Sequence, residues 1–157
     1  MPIRNLISTV IPVFNEEESI PKLFDELTGV ANENNYDLEV IFVDDGSTDG
    51  SWDKIAELAA EHSHIKAIRF RRNFGKADAL NAGFEIATGN VVFTLDADLQ
   101  DDPIEMPRFL EKMQNESIDV ISGWKKKRYD PWHKVLPSRV FNWLVSKLTG
   151  VKLHDHN

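Results

Sequence analysis

The sequence predicts an α/β fold in which helices cover both faces of a mostly parallel β-sheet. Two observations predict this fold. Short β-branched runs alternate with segments of helical spacing along most of the 157 residues, and polar clusters stand where four of these runs end. Repeated strand–helix units form parallel sheets, which bind ligands in the crevice beyond the carboxyl ends of their strands. We therefore expect a ligand site at that edge of the sheet.

The elements follow in order from the spacing of apolar residues. Strands are predicted at residues 6–13, 38–43, 65–70 and 91–95, with a short fifth strand at Val120 and Ile121. Helices are predicted near residues 20–27, after Ser47 or Thr48 as the cap, at 77–87 and at 106–113. From about Trp124 the pattern changes to a basic loop and an amphipathic helix. This change divides the chain into a core at 1–123 and a C-terminal segment at 124–157.

The charge of the chain is unevenly distributed. Residues 124–157 carry eight Lys and Arg against two Asp, a net charge of +6, whereas the other residues carry −14. An acidic body repels nucleic acid, which argues against a general nucleic-acid binder. A basic segment that contains tryptophan suggests an anionic phosphate or a lipid surface as partner, the alternative being a solvated charged face.

The composition excludes two further kinds of site. The chain has no cysteine, so it holds neither a disulfide nor a thiolate metal site. It has no apolar run near the ~20 residues that a membrane helix needs. We expect this segment by itself to be soluble.

The tripeptide Asp96-Ala97-Asp98 carries the clearest chemistry. Two carboxylates one residue apart at a strand end can turn toward one point, and such hard oxygen ligands suit Mg²⁺ or Mn²⁺. The alternative is a helix-capping turn before Pro103. The position directly after the fourth predicted strand favours the metal site.

Three other clusters follow the first three strands. Residues 12–17 combine a rigid proline turn with carboxylates, or form an acidic first helical turn. In residues 43–50, Gly46 permits a tight turn and a carboxylate can accept from a base or a ribose; the alternative is helix capping by Asp45, Ser47 or Asp49. Residues 71–77 place three cations before a helix start, as an anion pocket or as solvated surface charge. The sequence contains no G-x-G-x-x-G and no Walker A loop.

In this order, the clusters resemble family 2 inverting glycosyltransferases, which have the Rossmann-like GT-A fold. More narrowly, the chain is similar to the polyprenyl-phosphate sugar synthases, such as dolichyl-phosphate mannose synthase and bacterial undecaprenyl-phosphate glucosyltransferases. The stretches that match are residues 10–16, 43–50, 72–76, 79–83 and 96–103. The resemblance implies transfer of a sugar from a nucleotide-sugar to undecaprenyl or dolichyl phosphate, with Mg²⁺ or Mn²⁺ as cofactor. It favours UDP-glucose as donor, with GDP-mannose as the second choice.

The resemblance also implies roles for individual positions. Asp96 and Asp98 would bind the metal and the diphosphate as catalytic residues, with Ala97 beside them and Gln100 as a further metal ligand. The residues of the nucleoside pocket would be Pro12, Phe14, Asn15, Glu16, Val43 and Asp45.

Three cations of the C-terminal segment complete the implied site. Lys125, where the family usually has arginine, and Arg128 would lie beside the donor phosphates, with Arg128 counted as catalytic. Lysine lacks the bidentate fork of arginine. Arg139 would meet the acceptor phosphate, also as a catalytic residue.

The resemblance places the full-length protein at the cytoplasmic face of a membrane. The helix with Trp143 would contact the membrane surface, the alternative being ordinary core packing. Members of the family continue beyond the position where this chain stops, so we expect a truncated catalytic domain that lacks part of the acceptor site. A homo-oligomer is left open.

Two other functions compete with this hypothesis. The same donor site could serve a hydroxyl of a polysaccharide, glycolipid or protein, which needs a general base such as Asp101 or Asp102. A non-enzymatic, receiver-like signalling module would need an acidic pair after the first strand and a phospho-acceptor Asp after the third. The chain has Pro-Val-Phe-Asn and Arg-Phe-Arg-Arg there.

Overall fold

A computed structural model describes residues 6–123 of the chain. Four strands alternate with helices in the predicted order. The strands are β1 (Leu6–Val13), β2 (Asp37–Asp44), β3 (Ile65–Arg69) and β4 (Val91–Thr94). The helices are α1 (Ile20–Asn34), α2 (Ser51–Glu61), α3 (Lys76–Ile86) and α4 (Met106–Glu116), with a 3₁₀ turn at Pro103–Glu105 before α4. The chain divides into two compact units after Lys112, and the sheet lies in the first unit.

The four strands form one parallel sheet in the order β3-β2-β1-β4. From the central strand β1 the chain first builds β2 and β3 on one side, and then returns to place β4 on the other. The strand order therefore reverses between β1 and β4. In open α/β sheets, the carboxyl ends of the two strands at such a reversal border the ligand crevice.

Both faces of the sheet are buried, as expected for a parallel sheet with crossover helices. Ile11 and its neighbour in register, Phe42, belong to the core cluster that also contains apolar residues of α1 and α2. Val10 and Ile41 belong to a second cluster with Ala79 of α3. Each fully buried Val, Ile or Phe side chain of these clusters contributes roughly 1.5–3 kcal/mol of transfer free energy. The continuous β-branched runs of β1 and β2 follow from this burial on two sides.

A buried carboxylate at the amino end of the sheet fixes the turn before β4. Glu39 accepts hydrogen bonds from the Ser8 hydroxyl at 2.5 Å, the Thr88 amide at 2.9 Å and the Thr88 hydroxyl at 2.8 Å. Lys66 Nζ lies 2.6 Å from Glu39 Oε1. Burial alone would raise the pKa of Glu39, but the contacts with Lys66, Ser8 and Thr88 lower it to about 2. The entry of the chain into β4 is thereby tied to β1, β2 and β3.

Two local predictions were wrong. Helix α2 begins at Ser51, after Gly50 as the cap, and not directly after Ser47 or Thr48. The Ser47 hydroxyl accepts instead from the Asn15 amide at 3.0 Å, and this long-range bond takes the place of capping. Val120 and Ile121 form no strand, and the Val120 side chain is 84% exposed. A two-residue apolar run is too short to form a strand without a partner to pair with.

The predicted amphipathic helix of the segment 124–157 lies outside the described residues. Within residues 6–123, the helices are too short or too polar to cross a membrane.

Candidate functional site

A cavity of about 370 Å³ lies at the carboxyl ends of β1 and β4, where the strand order reverses. Its volume is within the range of small-molecule sites, roughly 300–1,000 Å³. All four polar clusters of the sequence contribute residues to its lining. The lining residues are Pro12, Val13, Phe14, Glu16, Asp45, Asn73, Gly75, Lys76, Asp96, Ala97 and Asp98.

The loop after β1 is fixed to the loop after β2 by Asn15. This residue has the left-handed φ of 57°, which asparagine tolerates better than most residues. Its amide N–H donates to Ser47 Oγ at 3.0 Å, and its side-chain oxygen accepts from the Thr48 amide at 2.8 Å. Asn15 therefore holds the wall in which Pro12 and Phe14 lie, while its own side chain is directed to the neighbouring loop.

A second set of hydrogen bonds ties the start of α1 to the start of α2. The Glu16 amide donates to Ser51 Oγ at 2.8 Å, and the Gly50 amide donates to Glu17 Oε2 at 3.0 Å. The Glu17 amide donates to Asp49 Oδ2 at 3.3 Å. Burial raises the pKa of Asp49, but hydrogen bonds from Ser51 and Glu17 outweigh this effect and lower the pKa. These bonds extend the contact between the two loops beyond Asn15.

Asp45 joins the end of β2 to the loop before α3. The residue is buried, and its two carboxylate oxygens accept from the Phe74 amide at 2.7 Å and from the Gly75 amide at 2.9 Å. Gly46 follows with a φ of +74°, and a Cβ at this position would collide with the main chain of Arg72. Only glycine combines this conformation with such a close approach. The predicted tight turn at Gly46 is present, and the carboxylate beside it orients the loop that lines the cavity.

Asp44, the residue before this junction, has a structural position. Its side chain is fully buried. One oxygen accepts from the Ser47 amide at 2.9 Å, and the other lies 3.4 Å from Arg69 Nε. The two adjacent aspartates thus differ in direction, and Asp45 is the one that reaches the cavity.

Asp96 and Asp98 stand on the turn that follows β4. Asp96 Oδ1 lies 2.5 Å from Nζ of Lys76, and the Asp96 amide donates to Asp101 Oδ2 at 3.1 Å. Asp98 Oδ1 accepts from the Gln100 amide at 3.1 Å. Leu99, which lies between Asp98 and Gln100, has a positive φ of 60°. The alternative of a helix-capping turn applies to neither carboxylate, because the cap before Pro103 is the side chain of Asp102.

The donor set at this turn fits a divalent cation of the Mg²⁺ or Mn²⁺ type. Such ions are bound by one or two carboxylates together with substrate phosphates and water, and not by an all-protein cage. Within residues 6–123, no three His, Cys, Asp or Glu side chains are grouped as metal ligands. Two carboxylates on the wall of an open cavity match a site that substrate phosphates and water complete.

The cations of residues 71–76 do not act as one cluster. Lys76, the first residue of α3, lines the cavity. The guanidinium of Arg72 instead lies 4.9 Å from the ring centroid of Phe74, which is a cation–π geometry. Of the cluster predicted as an anion pocket, Asn73, Gly75 and Lys76 line the cavity, and anion binding by them stays a prediction.

The structure brings together seven of the residues named from the sequence, which line one cavity: Pro12, Phe14, Glu16, Asp45, Asp96, Ala97 and Asp98. Val43 is fully buried in the core cluster with Val10 and Ala79, and it is not among the lining residues. Gln100 is exposed and, like Asn15, lies outside the cavity lining. The nucleotide and metal contacts assigned to these three residues stay predictions. Lys125, Arg128 and Arg139 lie outside the described residues.

Val13, Asn73 and Gly75 stood within predicted clusters, at 12–17 and 71–77, but were not singled out as lining residues. The pairing of Lys76 with Asp96 was missed. The position of these residues after predicted strands was the signal for the lining, because parallel strands end at one edge of the sheet. The sequence held no signal for the pairing. A chain that places β3 and β4 on opposite sides of β1 brings the turn after β3 into the same carboxyl-end edge as the turn after β4.

The carboxylates considered as general bases are engaged in local contacts. Asp101 accepts from the Asp96 amide, and Asp102 Oδ1 accepts from the Ile104 amide at 3.0 Å. Asp101 therefore shapes the turn that carries Asp96 and Asp98, and Asp102 caps the 3₁₀ turn that follows.

The fold and the site define an α/β protein with a ligand-sized crevice, lined by four carboxylates and one lysine, at the reversal of its parallel sheet. The profile of glycosyl transferase family 2 matches residues 8–155, and the chain belongs to this family. The undecaprenyl-phosphate 4-deoxy-4-formamido-L-arabinose transferase of Aeromonas hydrophila is 42% identical over 152 residues. This match covers 96% of the chain and 46% of the relative, so the chain spans about half the length of that curated protein. A receiver-like module is thereby excluded.

Solved structures show the GT-A fold predicted from the resemblance. The mannosyltransferase PcManGT from Pyrobaculum calidifontis, in complex with GDP-Man and Mn²⁺, has a TM-score of 0.52 and 30% identity, over 60% of this chain and 27% of that chain. S. aureus TarS 1-349, in complex with UDP, has a TM-score of 0.57 and 20% identity, over 80% of this chain and 38% of that chain. The second likeness concerns the fold alone.

Proposed function

We propose that the protein is a metal-dependent, inverting glycosyltransferase that moves a sugar from a nucleotide-sugar to a polyprenyl phosphate. The observation that carries the proposal is that Asp96 and Asp98 line one cavity together with Pro12, Phe14 and Asp45. The first two offer carboxylates for a metal that binds a diphosphate, and the other three offer an apolar surface and an acceptor for a nucleoside.

Two relatives support the choice of substrates. The Aeromonas protein is named for transfer to undecaprenyl phosphate, and the Pyrobaculum mannosyltransferase holds GDP-Man and Mn²⁺. We extend the acceptor class of the first and the donor class of the second to this chain. UDP-glucose stays the first donor to test, followed by GDP-mannose and a nucleotide-linked 4-deoxy-4-formamido-L-arabinose.

The chain's own residues supply the donor half of the reaction. Asp96 and Asp98 would hold Mg²⁺ or Mn²⁺, which offsets the charge that develops on the departing diphosphate. Asp45 and Phe14 would position the nucleoside, and Lys76 would add a cation on the phosphate side. Gln100 would complete the metal site if the turn after Asp98 closes on the donor. Positioning and charge stabilisation are the main contributions that such a transfer needs.

The acceptor step follows from the chemistry of a phosphate nucleophile. A phosphate oxygen of the lipid bonds to the anomeric carbon while the bond from that carbon to the diphosphate oxygen breaks, and the nucleoside diphosphate leaves. In-line attack inverts the configuration. A phosphate monoester is already ionised near neutral pH, so no strong general base is required, in agreement with the local contacts of Asp101 and Asp102. Arg139 would bind the acceptor phosphate, and Lys125 and Arg128 would lie beside the donor phosphates.

Calorimetric titration tests the donor site. UDP and GDP are titrated into the protein with Mn²⁺, with Mg²⁺ and with EDTA. We expect binding that depends on the metal, and at least about tenfold weaker binding in Asp98→Asn, which corresponds to about 1.4 kcal/mol. Asp53→Asn, an exposed aspartate in the first turn of α2, is the matched control and should bind as the wild type does. Equal binding by the Asp98 and Asp53 variants would refute the metal site.

A product assay tests the acceptor. The full-length protein is incubated with donor and a short-chain polyprenyl phosphate, and the anomeric configuration of the product is read by NMR. We expect a sugar–phosphate lipid of inverted configuration, which is lost in Arg139→Ala. Transfer to a hydroxyl acceptor, with no product from the lipid phosphate, would favour the second hypothesis.

A further inference from the structure

The ion pair between Lys76 and Asp96 connects the start of α3 to the turn after β4. Lys76 is the first residue of α3, Asp96 follows β4, and Nζ lies 2.5 Å from Oδ1. Both side chains line the cavity. The ammonium group therefore occupies a cation position at one of the two carboxylates that the proposed function assigns to the metal.

We propose that Lys76 is a displaceable counter-ion of Asp96. Before the donor arrives, the ammonium competes with the divalent metal for the Asp96 carboxylate. When the donor binds, the ammonium moves to the diphosphate and leaves Asp96 to the metal. This inference rests on the proposed function and names the residue that couples metal binding to donor binding.

The competition follows from the charges at the site. A divalent cation at Asp96 would stand close to the ammonium, and like charges at a few ångströms repel. The Lys76 side chain is 60% exposed, whereas that of Asp96 is 34% exposed. The lysine can therefore swing away on its flexible four-carbon stem, while the carboxylate is held by the turn after β4. The metal alone must displace Lys76 without compensation, so it binds weakly.

A diphosphate removes this conflict because its negative charges accommodate both cations. Asp96 would hold the metal, whose charge would offset that of the diphosphate, and the ammonium of Lys76 would contact a phosphate oxygen. Each ligand then raises the affinity of the other by the same factor, as linkage requires. We expect the contribution of Lys76 to be about fivefold. This is about 1 kcal/mol at 1.4 kcal/mol per factor of ten, the upper range for a partly exposed ion pair.

The test measures Mn²⁺ affinity by electron paramagnetic resonance of the free ion, with and without UDP or GDP. We expect Lys76→Met to bind Mn²⁺ about fivefold more tightly than the wild type when no nucleotide is present. In the same variant, the gain in Mn²⁺ affinity caused by the nucleotide should shrink by about the same factor. Lys76→Arg, which keeps the charge, should restore Mn²⁺ affinity toward the wild-type value.

Lys22→Met is the matched control. Lys22 is a 65% exposed lysine that also pairs with a carboxylate, that of Glu26, but it lies on α1 and outside the cavity lining. Lys22→Met should leave the Mn²⁺ affinity unchanged, both with and without nucleotide. Thermal unfolding by circular dichroism checks that each variant is folded.

The outcomes separate this inference from the proposed function. If wild-type nucleotide binding depends on Mn²⁺ but Lys76→Met binds Mn²⁺ no more tightly without nucleotide, the counter-ion role is overturned and the metal site stands. If wild-type nucleotide binding does not depend on Mn²⁺, the proposed metal site is refuted, and the role of Lys76 falls with it.

Discussion

Replacement of Glu39 by glutamine tests the buried network that ties the sheet to the turn before β4. The carboxylate is charged in the folded protein because its pKa is lowered from 4.5 to about 2. A group whose folded pKa is depressed contributes stability that is fully present above its unfolded pKa. This stability is lost as the pH falls through 4.5 toward 2. Glu39→Gln removes the charge at every pH, so the loss in free energy of unfolding that it causes should decrease on acidification.

The magnitude follows from the pKa shift. At about 1.4 kcal/mol per pKa unit, the shift corresponds to about 3 kcal/mol of folding free energy near pH 7 and about 1 kcal/mol near pH 3. The side chain of Glu39 is only 8% exposed, so solvent screens this contribution little. We therefore expect Glu39→Gln to lower the free energy of unfolding by about 3 kcal/mol at neutral pH, with a much smaller loss in acid.

The assay is urea unfolding followed by circular dichroism at pH 7, 5 and 3, with wild type and variant compared at each pH. Glu57→Gln is the control, because Glu57 is also a glutamate paired with a lysine but is exposed. It should change stability by less than about 1 kcal/mol at all three values. A loss in Glu39→Gln that is the same at pH 7 and pH 3, or no larger than that of the control, would refute the reasoning.

Three further variants probe the loops of the site. Gly46→Ala should destabilise the protein by at least about 2 kcal/mol in urea unfolding, since alanine meets both a positive φ and the main chain of Arg72. Asp45→Ala should speed hydrogen exchange of the Phe74 and Gly75 amides, because both lose their acceptor. Asn15→Ala should cost about 1–2 kcal/mol, because the Thr48 amide loses its acceptor and a left-handed φ is strained in alanine.

Each of these variants has a matched control. Gly29→Ala places a Cβ in open space within helix α1 and should stabilise by roughly 0.5–1 kcal/mol. Asp53→Asn should leave the exchange of the Phe74 and Gly75 amides unchanged, and Asn32→Ala, on the exposed side of α1, should change stability by less than about 0.5 kcal/mol. If a loop variant behaves as its control does, the contact assigned to that residue is wrong.

The order of strands and helices followed from the sequence because burial on two faces leaves continuous β-branched runs. The position of Asp45, Asp96 and Asp98 at one edge followed too, since parallel strands share their carboxyl ends. The sequence did not predict which side chains of a strand end turn toward the cavity. Val43 and Asp45 lie two residues apart, yet one is core and the other lines the site, because the chain leaves the pleat after Asp44.

Long-range contacts account for what the sequence could not predict. The hydroxyl of Ser47 has the right chemistry for a helix cap, but the Asn15 amide, 32 residues earlier, donates to it. The pairing of Lys76 with Asp96 depends on the position of α3 relative to β4, which neither motif contains. The local preference of a residue, such as that of Ser47 for a helix cap, does not decide its role when the tertiary structure offers it another hydrogen-bond partner.

The hydrogen bonds through Asn15, Glu16 and Glu17 make the side of the cavity that we propose for the nucleoside stiff before any ligand is present. The side that we propose for the diphosphate instead contains Lys76, which would move when the donor binds. A fragment that occupies only the nucleoside side would meet a preformed surface and lose little conformational entropy of the protein on binding. We therefore expect nucleoside-like fragments to reach higher binding free energy per atom than diphosphate mimics, which makes the stiff wall the better starting point for an inhibitor.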